Sequence, residues 1–148
     1  MRSKKAALAA AAVALAGTGL FATATTASAA PREAAPKSGY NGQCGSGYSV
    51  VNSAAIGDAG NVYLTYNGST GKNCVVTVRK STGDPVHMSA SIRALTDQDT
   101  KPVVDEGDFT SYAGPVYVKG KGHCIEWSGA IEDKTYSNDG SNCGSLHK

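Results

Sequence analysis

Four cysteines behind an export leader constrain this chain more than any other feature. They are Cys44, Cys74, Cys124 and Cys143. The chain opens with Arg2, Lys4 and Lys5, runs through an Ala/Leu/Val stretch over 6–16, and reaches Ala27-Ser28-Ala29. Basic, then apolar, then small-x-small is the order of a secretory signal. Residues 1–29 are therefore read as a signal peptide, cleaved before Ala30. The apolar run falls short of the roughly 20 residues a membrane span needs, so no membrane association is expected after cleavage. Export brings the thiols into an oxidising compartment, where an even number is read as disulfides. Four cysteines allow three pairings. The expected one joins sequence neighbours, Cys44–Cys74 and Cys124–Cys143. It closes loops of roughly 30 and 20 residues, worth about 3–4 kcal/mol each in the chain-entropy model. The rival reading, a metal site, lacks support, because no Cys-x-x-Cys and no paired Cys/His spacing occurs. His123 and Cys124 are adjacent, which on a strand sends them to opposite faces.

Removing the leader changes the charge. The whole chain carries +2, and taking away three positive side chains leaves −1. No run of Lys and Arg interleaved with aromatics occurs beyond the leader, so nucleic acid is not an expected partner. With 148 residues in all, what remains supports one domain.

Residues 30–43 hold Pro31, Pro36, Gly39 and Gly42 among scattered charge and read as a flexible leader. The domain is assigned to 44–148. Its pattern is that of strands. Tyr48-Ser49-Val50-Val51-Asn52-Ser53 is a first β-rich run. Asn61-Val62-Tyr63-Leu64-Thr65-Tyr66 and Cys74-Val75-Val76-Thr77-Val78-Arg79 bracket the turn residues Asn67-Gly68-Ser69-Thr70-Gly71-Lys72, which predicts a hairpin. Asn67-Gly68-Ser69 also matches a glycosylation sequon, and is read as part of the turn. In the next run Val86, Met88, Ala90 and Ile92 alternate with His87, Ser89, Ser91 and Arg93, apolar in and polar out. A second hairpin is predicted from Gly114-Pro115-Val116-Tyr117-Val118 through Lys119-Gly120-Lys121-Gly122 to Cys124-Ile125-Glu126-Trp127-Ser128-Gly129. The acidic stretch 96–108 reads as a loop. No window beyond the leader has a helical period. The fold class is all-β: a small antiparallel sandwich or barrel of about six to eight strands, stapled by two disulfides.

Residues able to do chemistry are few. His147 sits near the C-terminus, and His87 lies on a polar strand face. His123 and Glu126 are the one general-base pairing to weigh for a ribonuclease-like hydrolase, but a spacing of three puts them on opposite faces of a strand. Neither Gly-x-Ser-x-Gly nor His-Glu-x-x-His occurs. No catalytic residue, metal ligand or cofactor is assigned. Asp97, Asp99, Asp105, Glu106 and Asp108 raise the question of calcium, yet they lack the glycine and terminal glutamate of an EF-hand and read as a solubilising loop. Among the aromatic residues, Tyr63, Tyr117 and Trp127 are the candidates for surface contact with a sugar or wall polymer; core packing is the plainer role for such side chains.

Four stretches together carry a family resemblance: Cys44-Gly45-Ser46-Gly47-Tyr48-Ser49-Val50-Val51, Val62-Tyr63-Leu64-Thr65-Tyr66-Asn67, Gly71-Lys72-Asn73-Cys74-Val75-Val76-Thr77-Val78-Arg79 and Tyr112-Ala113-Gly114-Pro115-Val116-Tyr117-Val118. The chain resembles the small secreted spore-associated proteins (type A) of filamentous actinobacteria. That resemblance implies an exported, non-enzymatic protein found with the spore surface or the culture medium, and it brings no catalytic or ligand residues to carry over. The first reading is accordingly a secreted β-protein associated with the spore or cell surface; its partner is unassigned, a cell-wall or spore-surface polymer being the candidate. A secreted binding module or protease inhibitor is the alternative, and a small secreted hydrolase the third. An inhibitor loop is usually flanked by a cysteine, and 96–108 has none beside it.

Overall fold

A computed structural model describes residues 39–96 and 100–143. The leader assigned to 1–29 lies outside the described residues. Among the described residues there are eight strands: β1 (Ser49–Ile56), β2 (Gly60–Asn67), β3 (Lys72–Arg79), β4 (Val86–Leu95), β5 (Val103–Phe109), β6 (Tyr112–Lys119), β7 (Cys124–Ile131) and β8 (Lys134–Ser141). They form two four-stranded antiparallel sheets, ordered β1-β2-β3-β6 and β5-β4-β7-β8. The all-β expectation holds, and of its two forms the sandwich is the one adopted. Both expected disulfides are present, Cys44–Cys74 and Cys124–Cys143.

Alternation builds the core. Met88, Ala90, Ile92 and Ala94 of β4 and Ile125, Trp127 and Ile131 of β7 face Val62, Leu64, Val75, Ala113 and Val116 of the other sheet. Burying each such aliphatic or aromatic side chain contributes about 1.5–3 kcal/mol. Trp127 is the largest fully buried side chain. Its indole N–H donates to Ser141 Oγ at 2.8 Å, which removes the penalty of a buried unpaired donor. Beside it Gly129 lets the two sheets approach: a Cβ there would lie 2.3 Å from Thr77 Oγ1 and 2.9 Å from Val62 Cβ.

Three sequence expectations need correction. The acidic stretch read as a loop contains β5, which pairs with β4 from Val86↔Phe109 to Ile92↔Val103. Segment 134–141 was assigned no strand and forms β8. Both are edge strands with one ladder neighbour, where backbone pairing is enough and an apolar face is not required. The second predicted hairpin does not form. β6 pairs with β3, and β7 pairs with β4 and β8, so Lys119-Gly120-Lys121-Gly122 crosses from one sheet to the other. The crossing is tied down where Gly120 and Lys121 N–H donate to Gly71 O at 3.0 and 3.1 Å. The β2–β3 hairpin forms as expected, from Gly60↔Arg79 to Asn67↔Lys72.

The central strands of the first sheet, β2 and β3, are buried on both faces. The outer side of this sheet carries a second cluster: Cys44, Tyr63, Cys74, Val76 and Val78, with Tyr40, Tyr48 and Val50 packed against it. Segment 39–48 makes this cover. Cys44–Cys74 bolts it to β3 across a Cα–Cα distance of 6.1 Å. Tyr117 Oη donates to Cys44 O at 3.1 Å, and Asn67 Nδ2 donates to Ser46 O at 3.4 Å. Tyr40, placed by composition in the leader, stacks at a tilt on Tyr63 with ring centroids 5.7 Å apart.

Candidate functional site

The cover does not seal the sheet edge. Between Tyr40, Asn41 and Gly42 on one side and residues 49–53 of β1 on the other runs an open groove of about 810 Å³. Its aromatic wall is Tyr40, Tyr48 and Tyr63; its polar rim is Asn41, Ser49, Asn52 and Ser53. Among the described residues, no Asp, Glu, His, Lys, Arg or Cys lines it. Among the described residues β1 pairs with β2 alone, so it is an edge of the sheet. Its ladder slips between Val50 and Asn52, and Val51 at the slip is 46% exposed. That single bulge puts Val50 opposite Thr65 and Ser53 opposite Tyr63.

Local bonds hold the rim. Asn41 N–H donates to Gln43 Oε1 at 2.7 Å, and Gln43 Nε2 donates to Gly39 O at 3.2 Å. Asn52 Oδ1 accepts from Ser53 N–H at 2.9 Å, which leaves the amide NH₂ end as the donor side of that residue. Burial pushes the Tyr40 and Tyr63 phenols above their ordinary value of 10.0. Tyr117 is raised by burial first and by neighbouring Tyr48 and Tyr40 second. All three are therefore uncharged at neutral pH, able to donate and accept hydrogen bonds. The groove offers ring faces, hydroxyls and amides, which is the chemistry of binding.

The sequence candidates fall in different places. Trp127 is 1% exposed and Tyr63 3% exposed, so their rings are structural walls; Tyr117, at 37%, is the one of the three that reaches the surface. Tyr117 instead sits edge-on to Tyr48, centroids 5.7 Å apart, and secures the cover. Tyr40 and Tyr48 were not among the candidates, and they form the groove wall. His87 stands on the outer face of the second sheet, its Nε2 3.0 Å from Glu106 Oε1 and its Nδ1 3.6 Å from Asp108 Oδ1, all solvent-exposed. Glu126 forms an ion pair with Arg93 on the neighbouring strand, and His123 lies in the crossing loop with its N–H on Gly120 O at 3.0 Å. Asp105 turns the other way from Glu106 and accepts from Gly114 N–H at 2.7 Å. Among the described residues no group of three or more His, Cys, Asp or Glu comes together to hold a metal ion. Asp97, Asp99 and His147 lie outside the described residues.

Fold and groove together define a small, disulfide-stapled β-sandwich with a neutral, tyrosine-walled surface groove. The chain is 56% identical over 107 residues to spore-associated protein A of Streptomyces coelicolor, across 72% of this chain and 68% of that one. It belongs to the spore-associated protein family. No protein-family model matches the chain, and no solved structure matches it.

Proposed function

We propose that this protein is exported, performs no turnover, and attaches to the spore or cell surface by holding a surface polymer in the groove. The observation that carries the reading is the groove lining: three tyrosines and four small polar side chains, with no titrating group suited to acid–base or nucleophilic work at neutral pH. Export is supported by the residue order of the leader and by two disulfides that need an oxidising compartment. Surface attachment is supported by kinship with a spore-associated protein. His87 and Glu126, the side chains weighed for catalysis, lie away from the groove, His87 against Glu106 and Asp108 and Glu126 against Arg93.

The test is fractionation of spores, wall and medium, followed by sedimentation of the purified mature protein with isolated spores and walls. The protein is expected in the outer fractions, and the Tyr48→Ala variant is expected to sediment at least about tenfold less. Confinement to the cytoplasm contradicts the reading. So does hydrolysis of RNA or peptidoglycan, or stoichiometric inhibition of a subtilisin- or trypsin-like protease.

A further inference from the structure

We infer that the occupant of the groove is an uncharged glycan, held by stacking and hydrogen bonds, and neither an anionic polymer nor an added peptide strand. The inference deepens the proposal above and rests on it. Three observations select this class.

The first is charge. An anionic wall polymer carries a phosphate or carboxylate at each repeat, and desolvating it calls for Lys or Arg in the lining. Among the described residues the groove has none, and no carboxylate to attract a cation either. An uncharged ligand avoids the cost of desolvating a charge without a partner.

The second is the arrangement of surfaces. A pyranose ring has an apolar C–H face and a belt of hydroxyls. Tyr40 and Tyr48 are half-buried, each keeping part of its ring on the groove. Asn41, Ser49, Asn52 and Ser53 surround them with groups that both donate and accept, as a hydroxyl belt requires. Residues 49–53 run about 14 Å at about 3.4 Å per residue, enough for a short run of sugar rings.

The third concerns the free edge. An exposed edge strand invites pairing by a peptide, and β1 is such an edge. Its bulge at Val51 breaks the regular ladder midway along the groove. A bulged edge is a recognised defence against strand addition, because donors and acceptors on either side of the bulge fall out of step with a regular strand. The groove is thus open to a ligand and closed to a β-ladder.

The test titrates the full mature chain with four probes: an N-acetylglucosamine hexamer, a soluble β-glucan, dextran and poly(glycerol phosphate). Intrinsic fluorescence and calorimetry are the readouts. At least one uncharged probe is expected to bind saturably, with an affinity unchanged from low to high salt. Tyr48→Ala is expected to weaken it at least about tenfold. Since Tyr48 also packs on the cover, Val51→Glu is the second variant. It places a charge at an exposed groove position, keeps the melting temperature, and is expected to weaken binding by a similar factor. Salt-sensitive binding of poly(glycerol phosphate) with no uncharged probe bound overturns the glycan inference while surface attachment stands. Retention on spores that neither variant alters overturns the groove itself, and the glycan inference with it.

Discussion

The two sheets of this sandwich share one core and treat their outer faces in opposite ways. β4 in the second sheet puts Met88, Ala90 and Ile92 inward and leaves His87, Ser89, Ser91 and Arg93 to water. β3 in the first sheet has Val75 and Thr77 on the inner side and Cys74, Val76 and Val78 on the outer, all buried. A bare antiparallel face needs only alternation; a strand buried on both sides reads as a continuous apolar run. Segment 39–48 is what accounts for the difference, and the same segment forms one bank of the groove. Covering a sheet therefore does two things here: it buries a second small core, and it turns a flat edge into a concave site. The uncovered face carries the His87–Glu106 contact and the Arg93–Glu126 ion pair.

Paired substitutions break that comparison most strongly. Val76→Asp buries a charge under the cover and is expected to destabilise the fold by about 4 kcal/mol or more. Ser91→Asp adds the same group to the bare face and is expected to stay within about 0.5 kcal/mol of the parent. Urea unfolding of the two variants checks this, and equal effects would remove the distinction between the faces.

Removing the Cys44–Cys74 disulfide comes next. With a sequence separation of 30, the double alanine variant is expected to lose about 3–4 kcal/mol. Opening Cys124–Cys143, with a separation of 19, is expected to lose about 3 kcal/mol. The losses are close, but the first alone uncovers Val76 and Val78. It should raise binding of a hydrophobic dye and abolish the groove, and the second should do neither.

Tyr117→Phe deletes the hydroxyl that donates to Cys44 O. The expected loss is about 1 kcal/mol, readable in chemical denaturation. The same tyrosines give the cover a pH limit. Tyr40, Tyr63 and Tyr117 have phenols raised above 10.0, burial being the largest cause in each. Below that value the phenols are neutral folded and unfolded alike. Above it the unfolded chain ionises first and binds fewer protons, so stability falls as pH rises through the raised values. A phenolate absorbance titration should show three phenols ionising above the ordinary value of 10.0. The smallest effect belongs to the bare face: His87→Asn removes an exposed contact with Glu106 and is expected to shift stability by less than about 1 kcal/mol.

Much of the fold was legible where side-chain alternation and turn chemistry coincide. β4 and the β2–β3 hairpin are such cases. β5 and β8 were not, because an edge strand can be polar throughout, as 134–141 is apart from Tyr136. The β6–β7 hairpin was misread because a glycine-rich connection looks alike whether it turns within a sheet or crosses between two. The site was less legible than the fold. Tyr40 sits in a proline- and glycine-marked stretch that hides its ordered role, and nothing local shows that a disulfide folds it back over Tyr63. Trp127 could have been placed correctly: Ile125, Trp127 and Ile131 alternate with Glu126 and Ser128, so its ring belonged to the inner face. The family resemblance, by contrast, was readable from four short stretches and is borne out.

The most direct test of the account is an amide chemical-shift titration of the mature protein with whichever uncharged oligosaccharide it binds. The account predicts that the shifts gather on Tyr40, Asn41, Tyr48 and residues 49–53 and spare His87, Ser89, Ser91 and Arg93. Shifts gathered on the outer face of the second sheet, or none at saturating sugar, would contradict it.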